Sequence, residues 1–461
     1  MKKNLLIFLL LTLNFGAFLT AQDSTQLTID RVFSGEFSSG NFGPSKWLEG
    51  GIYYTTLEKS KNVDGRDIIK YNSKTGDRTI LVSAEKLITK DADQPMRIAD
   101  YSWSNDLQQL LIFTNTSRVW RTNTKGDYWV FELKTQALTQ LGADLNPSSL
   151  MFAKFSNDDQ QVAFVSEYNL YVQNLKSGKV KQLTQDGTGD IINGTFDWAY
   201  EEEFACRDGF RWNADGKYLA YWQVDASDIK DFLMINNTDE VYSKMVPIQY
   251  PKVGEKPSAV KVGVLEVASG KTLWFDIPGD PLQDYLPRMQ WVNADQVLVQ
   301  QLNRKQNTRK LWLCAVATGK VENIHTEVEE TWIDITQPDP TINWEMTDFP
   351  LLDHGKAFVW QSEKDGWRHL YKVDIDGKKE QLLTKGDYDI ARLYQVDEKE
   401  TFLFVNMSPD NPTQRYLYKV QLDGSGNRQR LTPEDQSGLH QYNISPNGKF
   451  AIHSWSNHNT P

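Results

Sequence analysis

"DIIKYNSKTGDRTIL", residues 67–81, decides the fold, because the chain repeats its form seven times. Apolar and polar side chains alternate from Ile69 to Asn72. A polar turn ending in Gly76 follows, and a second short run closes on Leu81. Alternation with period two places successive side chains on opposite faces of a strand, so the stretch reads as a β-hairpin. Further copies are "DYWVFELKTQALTQL" (127–141), "NLYVQNLKSGKVKQL" (169–183), "VKVGVLEVASGKTLWF" (260–275), "KLWLCAVATGKVENI" (310–324), "HLYKVDIDGKKEQLL" (369–383) and "YLYKVQLDGSGNRQRL" (416–431).

A second phrase precedes most copies: an apolar residue, a turn rich in Asn, Asp and Ser, then an apolar strand. It is seen in "WSNDLQQLLIF" (103–113), "FSNDDQQVAFV" (155–165), "WNADGKYLAYW" (212–222), "WVNADQVLVQQ" (291–301) and "ISPNGKFAIHS" (444–454). The two phrases together make a unit of four strands, and repeated four-stranded units are the pattern of propeller blades. Seven full units and the start of an eighth predict an all-β chain: an eight-bladed β-propeller. The uneven spacing of the copies implies inserts in several blades.

The composition agrees. Of 461 residues, 39% are apolar and 12% aromatic, enough for a large core, and 15 tryptophans favour strands over helices. The net charge of −11, without a Lys/Arg run of binding length, excludes nucleic acid and anionic membrane as expected partners. The first residues, "MKKNLLIFLLLTLNFGAFLTAQ", have a charged head (Lys2, Lys3), an apolar stretch (Leu5 to Leu13) and small residues before Ala21. They read as a signal peptide over 1–21 with cleavage near Ala21, leaving a propeller domain over 22–461, periplasmic or secreted, with no membrane contact after cleavage. Cys206 and Cys314 have no metal-type spacing and are compatible with one disulfide or two buried thiols. Six scattered histidines, without H-E-x-x-H or a Cys/His cluster, give no metal site and no cofactor. The "DIDG" at 374–377 occupies the turn of its hairpin and reads as a turn, not as a calcium loop. None of the 29 glycines opens a G-x-S-x-G, and neither a P-loop nor a G-x-G-x-x-G is present. No catalytic residue is assigned.

Between Gln185 and Arg211 the alternation stops. "GTGDIINGTFDWAYEEEFACRDGF", residues 187–210, has good helix formers from Trp198 to Cys206 and reads as a short helix or loop inserted into the fourth blade. Successive residues of a helix point about 100° apart, so Glu201, Glu202 and Glu203 cannot all face one point, although two can converge on a small cation. A primary ammonium has three donors, which two carboxylates and a carbonyl satisfy. From the residues alone, a solvated acidic turn and a cation site both remain open.

"DWAYEEEF" (197–204), followed by "WNADGKYLAYWQVD" (212–225), resembles the dipeptidyl peptidase IV family of prolyl oligopeptidase-type serine peptidases. The resemblance is sharp over 193–225 and diffuse over most of the rest. It implies that Glu202 and Glu203 grip the free α-amino group of a peptide substrate, with Glu201, Tyr200 and Trp198 supporting. It also implies an arginine for a substrate carbonyl: Arg121, after Trp120 in "SRVWRTNTKGDYWVF" (117–131), with Arg118 as its rival. The phenylalanine–arginine pair of mammalian members has no counterpart in "ETWIDITQPDPTINW" (330–344).

What the resemblance implies further is release of X-Pro or X-Ala dipeptides from free N-termini. Two extended residues span about 7 Å, and an α-amine with a pKa of about 7.7–8.0 is largely charged at pH 7. Serine, histidine and aspartate of such an enzyme belong to a C-terminal α/β-hydrolase domain, expected to be missing from this chain, which alone is then inactive. Homodimerisation is a further implied property. A prolyl tripeptidyl peptidase and a non-catalytic periplasmic binding propeller are the alternatives.

Overall fold

The computed structural model describes residues 26–38, 42–335, 349–397 and 399–460. The signal peptide expected over 1–21 lies outside them, as do residues 336–344 of the segment 330–344 that lacks a phenylalanine–arginine pair. The chain divides into two compact units, Met1–Pro44 and Ser45–Pro461. In the first, a short helix, Ile29–Phe33, is capped by Thr28, whose side chain accepts from the Arg31 N–H. No described helix is long and apolar enough to cross a membrane.

The second unit is almost wholly antiparallel sheet, in chain order. Strands Lys46–Leu48, Tyr53–Lys59, Arg66–Asn72 and Arg78–Val82 form the first four-stranded sheet. Two further runs of four strands, within 100–140 and 150–182, join into one eight-stranded sheet because Lys125–Gly126 pairs with Met151–Leu150. Four-stranded sheets also fill 284–328, 351–382 and 390–430, and a final hairpin pairs Leu439–Ile444 with Ala451–Ser456. All seven hairpins expected from the sequence are the third and fourth strands of their units. The "DIDG" turn links His369–Asp374 to Glu380–Leu382.

The middle strands carry apolar residues on both faces, and successive residues serve different neighbours. Leu110 and Ile112 pack with Leu57 and Ile68 of the sheet before. Leu111 packs with Val162 and Phe164 of the four strands that follow. Ala163 and Val165, alternating with Val162 and Phe164, pack onto Leu219 and Tyr221. Ala220 and Trp222 in turn meet Val297 and Val299. Each Val, Leu, Ile or Phe among these contributes about 1.5–3 kcal/mol on full burial, so sheet-to-sheet stacking is a main source of stability. The last hairpin meets the first sheet: Trp47 Nε1 donates to Asn443 Oδ1 at 2.8 Å, and the Asn447 N–H to the Gly50 carbonyl at 3.0 Å.

Cys206 and Cys314 are both buried and are not bridged to each other.

Candidate functional site

One sheet differs from the others in its first strand, which is split. Ile191–Asn193 pairs with Gln223–Asp225, and Phe210–Trp212 pairs with Leu219–Tyr221 of the same neighbouring strand. Residues between the two pieces leave the sheet opposite Trp222, whose carbonyl accepts from Gly194 and whose N–H donates to Gly209. The excursion is pinched at its base: the Gly209 N–H donates to the Gly194 carbonyl at 3.0 Å. A Cβ on Gly209 would lie 2.5 Å from the Gly194 carbonyl carbon, so only glycine fits there.

The excursion carries the helix Trp198–Phe204. Asp197 is its N-cap, its carboxylate accepting from the Tyr200 N–H at 3.0 Å and from the Ser258 hydroxyl. Burial pushes the Asp197 carboxyl above the usual aspartate range, against the pull of those two bonds. Ala205, in the left-handed region at φ 55, ends the helix. Tyr200 is the anchor: it is buried, stacks on Phe196, meets Phe204 edge-on, and its hydroxyl accepts from the Leu286 N–H at 3.1 Å. Trp198 lies against Tyr250, with ring centroids 4.4 Å apart.

The three glutamates diverge, as helix geometry requires. Glu201 is buried and accepts from Arg207 Nε at 2.8 Å. Burial pushes its carboxyl upward, and Arg207 opposes the shift. Glu202 accepts from Arg121 Nε, also at 2.8 Å. Glu203 is exposed and accepts from Gln306 Nε2 at 2.5 Å. Arg121 reaches Glu202 because strands Gln109–Val119 and Thr122–Glu132 are 11 residues each, and Val119 pairs with Thr122 across a two-residue turn of Trp120 and Arg121. Trp120 adopts φ 50 there. Arg118 Nε donates instead to the Trp120 carbonyl at 3.0 Å.

A cavity of about 600 Å3 adjoins this group, with Trp120, Phe152, Tyr168, Trp198 and Glu201 among its walls. Glu202 and Glu203 do not line it. Two partners of the glutamates were not expected from the sequence. Arg207 follows the helix end at Phe204, so no helical spacing links it to Glu201. Gln306 lies 103 residues from Glu203 in an ordinary polar turn.

Residues 104–461 match the family described as the dipeptidyl peptidase IV N-terminal region. The chain belongs to the dipeptidyl peptidase IV family. It is 27% identical over 419 residues to dipeptidyl peptidase 4 of Trichophyton rubrum, covering 87% of this chain and 51% of that protein. To the probable dipeptidyl-aminopeptidase B of Aspergillus terreus it is 25% identical over 467 residues, covering 95% and 50%. The crystal structure of Porphyromonas gingivalis dipeptidyl peptidase 4 superposes with a TM-score of 0.82 at 26% identity, covering 93% of this chain and 58% of that one. This dipeptidyl peptidase IV-family chain thus spans about half the length of the curated relatives it matches.

Proposed function

We propose that this chain is the substrate-binding and gating propeller of a secreted serine exopeptidase that releases X-Pro or X-Ala dipeptides from free peptide N-termini. Glu202 and Glu203 receive the α-ammonium of the substrate, and Arg121 contacts a substrate carbonyl. Glu201, Tyr200 and Trp198 hold the helix in place. The observation that carries this reading is the meeting of Arg121 and Glu202 at 2.8 Å across 81 residues, with Glu203 next in the chain, in a family that includes dipeptidyl peptidase 4 of Trichophyton rubrum.

The scaffold is an eight-bladed propeller with the helical insert in its fourth blade. Its support is the neighbour-by-neighbour stacking of the sheets and the Trp47–Asn443 contact between first sheet and last hairpin. The serine, histidine and aspartate of the reaction belong to an α/β-hydrolase domain outside these 461 residues. Residues 1–21 direct the protein to the periplasm or beyond. A hairpin of Asp231–Asn236 and Lys244–Gln249 exposes Leu233, Ile235, Val241 and Tyr242, and is the surface offered to a second copy in a homodimer.

Mass spectrometry of a defined X-Pro peptide digested by the complete protein tests this reading. Loss of two N-terminal residues is expected. Loss of three assigns a tripeptidyl peptidase, and an uncleaved peptide leaves a binding propeller.

A further inference from the structure

The three glutamates of the helix Trp198–Phe204 are not electrically equivalent. Glu201 is paired with Arg207 and Glu202 with Arg121, so two of the three charges are cancelled locally. Glu203 has no ion pair among the described residues, and its partner, the Gln306 side-chain amide, is neutral. One uncancelled negative charge remains on the helix, the complement of one ammonium.

Gln306 is built to hold that carboxylate still. It is 6% exposed, its backbone lies at φ 52, and its N–H donates to the Asn303 carbonyl at 2.8 Å. Its own carbonyl accepts from the Ile333 N–H at 2.7 Å. The Asn303 side chain closes the same turn by accepting from the N–H groups of Asn307 and Thr308, both at 3.0 Å. With its backbone fixed on both sides, the Gln306 amide presents its donor to Glu203 Oε1 at 2.5 Å. An amide donor orients a carboxylate without neutralising it, and leaves its remaining lone pairs for another donor.

We propose that Gln306 is a positioning residue of the amine site, and that Glu203 is the member to which the substrate's positive charge is addressed, while Glu202 serves as an acceptor already balanced by Arg121. This rests on the amine-site reading given above.

The test compares Gln306→Ala, the near-isosteric Gln306→Glu and Glu203→Ala in the complete protein, with glycyl-prolyl-4-nitroanilide as substrate and pH profiles for each. Losing a hydrogen bond to a charged group is expected to raise KM about tenfold in Gln306→Ala while kcat stays within about twofold. Gln306→Glu sets a second carboxyl against Glu203, and two such groups share a proton. The acid limb of its kcat/KM profile is therefore expected to move up by about one pH unit or more relative to the wild type. Because Gln306→Glu keeps the side chain's size, it decides the matter should Gln306→Ala not fold. Wild-type KM and an unshifted profile in the Gln306 variants, with Glu203→Ala inactive, overturn the role of Gln306 and leave the amine site standing. Near-wild-type turnover by Glu203→Ala removes the amine site itself.

Discussion

Arg121 Nε lies 2.8 Å from Glu202 Oε1, and the two residues come from parts of the chain 81 positions apart. Arg121 sits at the tip of a long hairpin and is 74% exposed, whereas Glu202 is 24% exposed on a helix that interrupts another sheet. Exposed ion pairs add little to stability. The geometry instead fixes a guanidinium beside the carboxylates at the place where a substrate carbonyl and ammonium are proposed to lie side by side.

Arg121→Ala is accordingly expected to leave the thermal midpoint unchanged and to raise KM for dipeptide substrates about tenfold. Arg121→Lys is expected not to restore it, because an ammonium lacks the planar fork of donors. Steady-state kinetics and melting curves on the same preparations check both statements. A lowered midpoint with unchanged KM would assign Arg121 to the scaffold.

Asp197 gives the site a pH dependence of stability. Its folded carboxyl titrates above the unfolded value, because burial disfavours the charge. The stability it contributes is therefore full below about pH 4, near the unfolded aspartate value, and is lost as pH rises through the folded value. Asparagine caps a helix as well as aspartate does, and its amide can donate to Ser258. Asp197→Asn should therefore gain stability relative to the wild type between pH 4 and neutrality, in melts taken along that range. Parallel curves would contradict this. Asp197→Ala, which loses the cap, should cost about 1 kcal/mol.

Gly51 tests the contact between the first sheet and the last hairpin. It adopts φ 101, and a Cβ there would lie 2.4 Å from Ser445 Cβ. Gly51→Ala is expected to cost about 2–4 kcal/mol through backbone strain and overpacking. Trp47→Phe, which removes the indole donor to Asn443, should cost about 1 kcal/mol. Denaturant melts measure both, and a wild-type midpoint for Gly51→Ala would show that the contact bears no strain.

The repeat was legible because each hairpin brings back the same phrase, an apolar-rich strand, a polar or glycine turn and a short closing strand, at the same place in its four-stranded unit. The split strand was legible as a break in the same rhythm, between Gln185 and Arg211. The hairpin of Asp231–Asn236 and Lys244–Gln249 was not: its apolar residues stay exposed, so burial leaves no alternation to read. At the site, the order Asp197-Trp198-Ala199-Tyr200 followed by three glutamates carried the resemblance, and Trp120-Arg121 came with it. Arg207 and Gln306 went unread because their partners are set by the fold: one lies beyond a helix end and the other on a distant turn.

The central claim is that Glu202 and Glu203 receive the substrate's α-ammonium. Its most direct test is kcat/KM of the complete protein for glycyl-prolyl-4-nitroanilide in Glu202→Ala and Glu203→Ala, with melting curves confirming the fold. Each variant is expected to lose about 100-fold or more, the scale of removing a charge-assisted contact to the substrate. Near-wild-type kcat/KM in folded Glu203→Ala, or in both folded variants, would contradict the account.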